Sequence, residues 1–390
     1  MKINIKTLKL VLPLNTAWFW VGIWLLFYLR VTDYAGIGLL EATMFFIGFV
    51  IEIPTGALSD MIGKKPTLAM AFLFYGLGNL VMGLSDTYSQ LFISVFLMVI
   101  GSALYSGTAE ALLFDSLKTE GEENRYGMIL ARIETYGLLV MAIASAVGGF
   151  VYAIDIHLPF ILTALAGFLG FIGIVFFIKE PPIDTEKFSF RNYLSQNKQG
   201  VKQLLHKVNP YVLIMLVAVI GLVEVLDNLL DIAFAIQLGF DERSLGILFA
   251  ALPLIGASGA YLFSKYKERF PQVRLFAVLG LSYFAGVLLS PYIGILIGTF
   301  FIGMRSFIQP IFNIIASDSI NQSVVSKYRA TALSTFAILR KLPYVLMAYF
   351  IGSLVDTNGA SNVMQVLGLG FLVVFMVASL LFSGNAKTAT

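Results

Sequence analysis

Apolar residues fill this 390-residue chain in long runs, twelve of them about 17 residues or longer, separated by short polar or glycine-containing breaks. A run of that length coils into a helix able to cross a hydrocarbon core ~30 Å thick. The pattern predicts membrane spans near 8–31, 34–59, 66–84, 88–117, 127–154, 158–178, 210–238, 244–264, 274–290, 292–318, 328–355 and 362–383. One polar stretch, Glu180 to Asn209, is too charged to span and too long for a turn. Its apolar pairs Tyr193-Leu194 and Leu204-Leu205 predict short amphipathic helices on the membrane surface. Six predicted spans lie on each side of it, which gives domains at 1–180 and 210–390 joined by a linker at 181–209.

Composition agrees with a polytopic membrane protein, since 58% of residues are hydrophobic and 13% charged, against roughly 25% charged in a soluble domain. The basic residues fix an expected orientation. Lys2, Lys6, Lys9, Lys64, Lys65, Lys118, Arg125, Lys179 and the linker lysines fall on one side of the twelve-span scheme, as do Lys265, Lys267, Arg269, Lys327 and Arg329. Only Arg30 and Arg243 fall on the other. The positive-inside bias then places both termini in the cytoplasm of a cell-membrane protein. The first run is long and lacks a small-x-small exit, so it is expected to be retained rather than cleaved. The net charge of +3 is accounted for by topology and does not point to nucleic acid. The chain has no cysteine, hence no disulfide and no thiol chemistry.

The most specific motif lies between the second and third runs, where residues 56–68 read GALSDMIGKKPTL. Gly56 and Gly63 permit close backbone approach in this short reversal, and Lys64 and Lys65 face headgroups. This Gly-x-Leu-x-Asp-x-x-Gly-Lys-Lys turn resembles the signature of the major facilitator superfamily of secondary transporters. The segments Glu52-Ile-Pro-Thr-Gly56 and Glu110-Ala-Leu-Leu-Phe-Asp115 resemble others common among its bacterial members. The resemblance covers essentially the whole chain. It implies an all-α fold of two pseudo-symmetric six-helix bundles with a substrate site between them, working as a monomer without a cofactor. It also implies that Gly56, Asp60, Gly63, Lys64 and Asp115 form a cytoplasmic conformational latch, with Asp60 near the N-terminus of the eleventh helix. A weak internal repeat is expected, relating Ser59, Lys64 and Pro66 to Ser264, Arg269 and Pro271 at a shift of 205, and Asp115-Ser116 before Tyr126 to Asp318-Ser319 before Tyr328.

Charge inside the predicted spans is sparse and uneven. Away from the span ends it comprises Glu41, Glu52, Glu110, Arg132, Glu134, Glu224, Asp227, Asp231, Arg305, Arg340 and Lys341, and the third, sixth, ninth and twelfth spans have none there. An ion facing lipid costs about 2.5–3.5 kcal/mol even on insertion scales, so the charge-free spans are expected to face lipid and the charged ones a cavity or one another. Glu224, Asp227 and Asp231 share one face of the seventh span, with Asn228 beside them. Three carboxylates confined together cannot all be ionised cheaply, and they are expected to titrate as a coupled group able to carry a proton. Glu224, nearest the midplane, is the expected carrier, with Glu110 and Glu41 next. Neutralising Arg305, Arg340 or Lys341 is the alternative role for these acids, and Arg340 is expected to pair with Asp227. Arg132 and Glu134 are expected to tie helices together.

No phosphate loop, Ser-His-Asp arrangement or zinc spacing occurs, so neither an enzyme nor an ATP-driven pump is expected. The cavity acids outnumber the bases, which favours proton-coupled export of a small cationic or amphipathic compound. The superfamily's antiporter signature survives only as Gly148-Gly149, so two alternatives stay open. One is a proton-coupled importer of a nutrient with an anionic group held by Arg305, Arg340 or Lys341. The other is a lipid flippase or sensor on the same fold.

Overall fold

The computed structural model describes residues 1–181, 190–269, 272–290 and 294–388. Among these the chain is helical, without strands. The helices are α1 (Lys2–Val11), α2 (Trp24–Tyr28), α3 (Tyr34–Ile62), α4 (Lys64–Gly83), α5 (Tyr88–Tyr105), α6 (Thr108–Thr119), α7 (Tyr126–Tyr152) and α8 (Leu158–Phe177). They continue with α9 (Phe190–Lys207), α10 (Pro210–Val225), α11 (Asp231–Gln237), α12 (Glu242–Tyr266), α13 (Gln272–Leu289), α14 (Gly294–Ser323), α15 (Arg329–Asn358) and α16 (Ala360–Thr388). Ten stretches of the described residues are helical, long and apolar enough to cross a membrane, and Leu275–Leu289 is a shorter apolar helix. Residues 182–189 of the expected linker lie outside the described residues, and the linker beyond them is the single helix α9.

The first predicted span is not one helix. α1 passes into a 3-10 turn at Leu12–Thr16, the next seven residues are irregular, and α2 resumes for five. Pro13 starts the tight turn, and the Trp18 indole donates to the Asn15 carbonyl at 2.6 Å. Partners from other helices hold the break open. The Thr16 hydroxyl donates to the Gly137 carbonyl of α7, and the Phe19 N–H donates to the Thr163 hydroxyl of α8. Backbone groups that leave a helix inside a membrane need such partners. The predicted fourth span is likewise divided into α5 and α6 at Gly107, whose φ of +71° is readily adopted by glycine.

The chain forms two compact units. The first comprises Met1–Asp33, Leu40–Phe188 and Asp241–Ala251; the second comprises Tyr34–Leu39, Ser189–Phe240 and Leu252–Thr390. Relative to the expected division, the first turns of α3 and of α12 therefore change sides. In the first unit α4 packs between α5 and α8, and small residues set that packing. Gly78 lies against Met98 and the Ser94 carbonyl, Gly101 against the Ala71 carbonyl and Tyr75, and Gly167 against Gly76. The third predicted span, which is α4 beyond Lys64 and Lys65, was expected to face lipid, yet α4 is 61% buried, matching the stretch Pro210–Gln237 as the most enclosed. Absence of charge permits a lipid face without requiring one, and glycine contacts recruit such a helix to the interior. By contrast, the apolar stretch Ala360–Phe382 of α16 is 22% buried.

In the second unit α10 packs against α15 and α16, with Gly221 beside Pro343 and Phe371. Phe276, Phe284 and Phe375 form an aromatic cluster among α13 and α16. The helix α9 docks on α15 through Gly200, whose α-carbon meets Thr331 too closely for any side chain.

Candidate functional site

The seventh predicted span runs from α10 to α11 through a π-helical turn at Leu226–Leu230. Such a turn adds one residue to the α-helical repeat and re-aims the side chains on either side of it. Here it falls between the three acids, so they do not share one environment. Asp231 is buried and ion-paired with Arg305 of α14, itself 1% exposed. Arg305 also donates to the Ser290 hydroxyl at 2.9 Å and to the Gly286 carbonyl at 3.3 Å, while its Nε is buried without a hydrogen-bond partner. Glu224 lies 3.2 Å from Nε of Arg340 on α15, and that guanidinium also donates to the side-chain amide oxygen of Asn313. Asp227 lies between them and is exposed; it accepts a hydrogen bond from the Gln309 amide.

Three carboxylates thus meet two guanidiniums, and Asp227 is the one matched to a neutral amide among the described residues. The expected pairing of Arg340 with Asp227 is replaced by Arg340 with Glu224. The physical cause is the π turn, which rotates Asp227 relative to Glu224. Asn228 donates to the Glu224 backbone carbonyl at 2.6 Å, so its amide stabilises the turn rather than a carboxylate. Sequence reading missed Gln309, Asn313 and Ser290. All three are neutral residues, which a search for intramembrane charge does not single out. Lys341 is half-buried on α15.

In the first unit, Lys64 and Asp115 form an ion pair between the start of α4 and the end of α6. The side chain of Asp60, together with Gly56, lies outside the described side chains. The N-terminus of α4 is instead capped by Glu180, whose carboxylate accepts from the Lys64 N–H at 2.8 Å and the Lys65 N–H at 2.7 Å. Gly63, at φ +99°, has that carboxylate directly over its α-carbon. Nothing local in the sequence pointed to Glu180, which is more than 100 residues away along the chain. In the second unit Lys267 pairs with Asp318 at 3.1 Å. Lys64 and Asp115 recur as Lys267 and Asp318 at a common shift of 203 residues, which agrees with the expected match of Asp115 to Asp318 and sets Lys64 against Lys267 rather than Arg269.

The remaining expected residues do not join one cluster. Glu110, in the first turn of α6, is exposed and accepts from the Tyr126 hydroxyl at 3.2 Å. Glu41 on α3 is half-buried and close enough to Tyr28 to act on it electrostatically. Arg132 and Glu134 are both exposed on α7, and neither makes an ion pair among the described residues, so the expected tie between helices is not formed by them.

Comparison with known proteins places the chain in a family. The family model described as Major Facilitator Superfamily matches residues 10–343. The MFS-type transporter YxaM of Bacillus subtilis is 23% identical, covering 90% of this chain and 88% of its own. Multidrug resistance protein 2 of Bacillus subtilis is 20% identical over 76% of this chain and 77% of its own. The class B tetracycline resistance protein of Escherichia coli is 24% identical over 41% and 39%. Among solved structures, the nucleoside transporter NupG superposes with a TM-score of 0.77 at 14% identity, covering 98% of this chain and 99% of that one. The all-helical fold, the apolar spans and these matches together show that the chain belongs to the major facilitator superfamily of multi-pass membrane transporters.

Proposed function

We propose that this chain is a proton-coupled antiporter exporting a small cationic or amphipathic compound by alternating access. Its twelve spans form two six-helix bundles with both termini cytoplasmic, counting the broken α1–α2 segment and α13 with the ten long apolar stretches. The observation that carries the coupling is Asp227, an exposed intramembrane carboxylate whose two acidic neighbours are each committed to an arginine. An accessible acid without a cationic partner can bind either a proton or a positively charged substrate, and competition between the two is the minimum requirement for exchange. The coupling role expected of Glu224 therefore passes to Asp227. The pairing of Arg305 and Arg340 with acids argues against either of them as the anion site that the importer reading needs. The names of two relatives, a multidrug and a tetracycline resistance protein, point the same way at low identity.

The test is transport in proteoliposomes with and without an imposed pH gradient, using a panel of lipophilic cations. Gradient-driven extrusion that becomes gradient-independent exchange in Asp227→Asn supports the reading. If Asp227→Asn sustains uphill extrusion at the original rate, the proton site lies elsewhere. Absence of flux for any solute across a broad screen would favour the sensor or flippase alternative.

A further inference from the structure

Among the described residues of the first unit, the buried side-chain polar atoms without a hydrogen-bond partner are Nε1 of Trp20, the Tyr75 hydroxyl and Oδ1 of Asn79. They belong to one place. Tyr75 and Asn79 stand one turn apart on a single face of α4, and the Tyr75 side chain lies close enough to those of Asn79 and Trp20 to interact with both. Tyr75 is 7% and Asn79 0% exposed. They lie about 16 and 22 Å along α4 from Lys64, far inside a helix that is apolar and long enough to cross a membrane. A polar group left without a partner at that depth is costly, and three at one point share a cause.

The surrounding backbone holds the three in position. Trp20 is carried by the irregular segment between the Leu12–Thr16 turn and α2, and the Phe19 carbonyl of that segment lies directly on the α-carbon of Gly148 in α7. The Trp18 and Trp20 rings stack beside it with centroids 5.8 Å apart. On α4, the Tyr75 backbone is pressed against the α-carbon of Gly101 in α5, and Gly76 meets Gly167 of α8. The Asn79 amide is oriented as well. Its Nδ2 donates to the Tyr75 backbone carbonyl at 2.9 Å, which leaves Oδ1 as the remaining acceptor.

The chemistry of these atoms selects an occupant. An indole N–H only donates, an amide oxygen only accepts, and a phenol does either. An anion would suit Trp20 and be repelled by Oδ1 of Asn79, whereas a metal cation would suit Oδ1 and be repelled by the indole N–H. A hydroxyl meets both demands on one oxygen, accepting from Trp20 and donating to Asn79, with Tyr75 supplying a third bond. Three polar partners are also the usual complement of a buried water.

We propose that Trp20, Tyr75 and Asn79 form a buried hydroxyl-binding site that fastens the break in the first predicted span to α4. Its occupant is a neutral O–H group, from a water molecule or from a small polyol. Non-helical backbone at membrane depth persists where protein or a polar cavity surrounds it, and this site supplies the polar side of that enclosure. The Trp20 ring is half-buried, so the site has an edge by which a small molecule enters.

The chain has three tryptophans, Trp18, Trp20 and Trp24, so a preparation labelled with 15N-tryptophan in nanodiscs gives three indole N–H resonances, and Trp20→Phe assigns the one in question. The Trp20 N–H is expected to show magnetisation transfer from a bound hydroxyl proton. Trp18, whose indole donates to the Asn15 carbonyl at 2.6 Å, is the internal control and should show none. Tyr75→Phe and Asn79→Leu, introduced separately, should each speed hydrogen exchange at the Trp20 indole by about two- to tenfold, the loss of one hydrogen bond. Tyr75→Phe keeps the ring that packs against Gly101, so that variant reports even where Asn79→Leu fails to fold. Titration with ethylene glycol, glycerol and glucose separates the two sources: transfer from water that persists through the titration assigns the site to water, and its replacement by transfer from a polyol assigns it to a solute. Trp20 behaving like Trp18, with no transfer from water or polyol, overturns the site. Transfer that Tyr75→Phe leaves unchanged, with unaltered exchange, also overturns it, because the occupant is then not held by this trio.

Discussion

At the scale of single residues, the second unit separates three similar acids into three roles. Asp231 and Arg305 are enclosed together, and removing one partner of such a pair typically costs about 3–5 kcal/mol because the other is left charged and buried. Arg305→Met is therefore expected to lower the thermal stability of the purified protein markedly, and Asp231→Leu in the same background should recover most of the loss. Equal instability in the single and double variants would show that Arg305 matters for its packing and its bonds to Ser290 and Gly286 instead. For Glu224 and Arg340 the expected signature is non-additivity. A thermodynamic cycle of Glu224→Gln and Arg340→Gln should give an interaction energy of about 0.5–3 kcal/mol, whereas one built on Asp227→Asn and Arg340→Gln should be nearer zero. The reverse ordering would restore the pairing of Arg340 with Asp227 that spacing alone suggested. Asp227→Asn should leave stability nearly unchanged, since its partner Gln309 is neutral and its own carboxylate is exposed.

At the scale of elements, irregularities coincide with polar residues. The π turn at Leu226–Leu230 contains Asp227, the break after Thr16 contains Trp18 and Trp20, and the kink at Gly107 precedes Glu110. Deleting Leu229 should convert the π turn to regular α-helix and turn the following residues by about 100°. Asp231 would then leave Arg305. The expected result is a folded but destabilised protein without coupled transport, and unimpaired transport would make the π turn incidental. Elsewhere the elements depend on glycine. Gly167 of α8 lies against Gly76 of α4, so Gly167→Leu should overpack that crossing and cost about 1–3 kcal/mol or more, read as a lower thermal midpoint. Gly127, with nothing near its α-carbon, provides a control, and Gly127→Leu should be tolerated far better.

At the scale of the whole molecule, transport and its pH dependence belong to the assembled transporter. If protons and a cationic substrate compete at Asp227, apparent substrate affinity should rise as pH increases, and Asp227→Asn should flatten that profile; binding measured by scintillation proximity at several pH values checks it. A pH-independent affinity in the unsubstituted protein would dissociate proton from substrate. The helical membrane fold was legible in the sequence because a hydrocarbon core imposes long apolar runs and forbids unpaired backbone, constraints that composition must reflect, whereas the family was legible only through the resemblance of a few motifs. The GALSDMIGKK turn was legible as a short motif, and Lys64 and Asp115, which the structure pairs, were grouped with Asp60 only through the resemblance that the motif carries. The locations of the intramembrane acids were determined in the same way, but their partners were not. Which acid met which arginine depended on one π turn, and which apolar helix was enclosed depended on glycine contacts between segments far apart in the chain. The cap on α4 came from Glu180 and the cap on α3 from Asp356, each beyond the reach of any local pattern. Hydrophobic length is a property of a segment by itself, so the sequence alone determined it; a carboxylate's partner is a matter of distance and direction across the bundle, which only the tertiary structure decided.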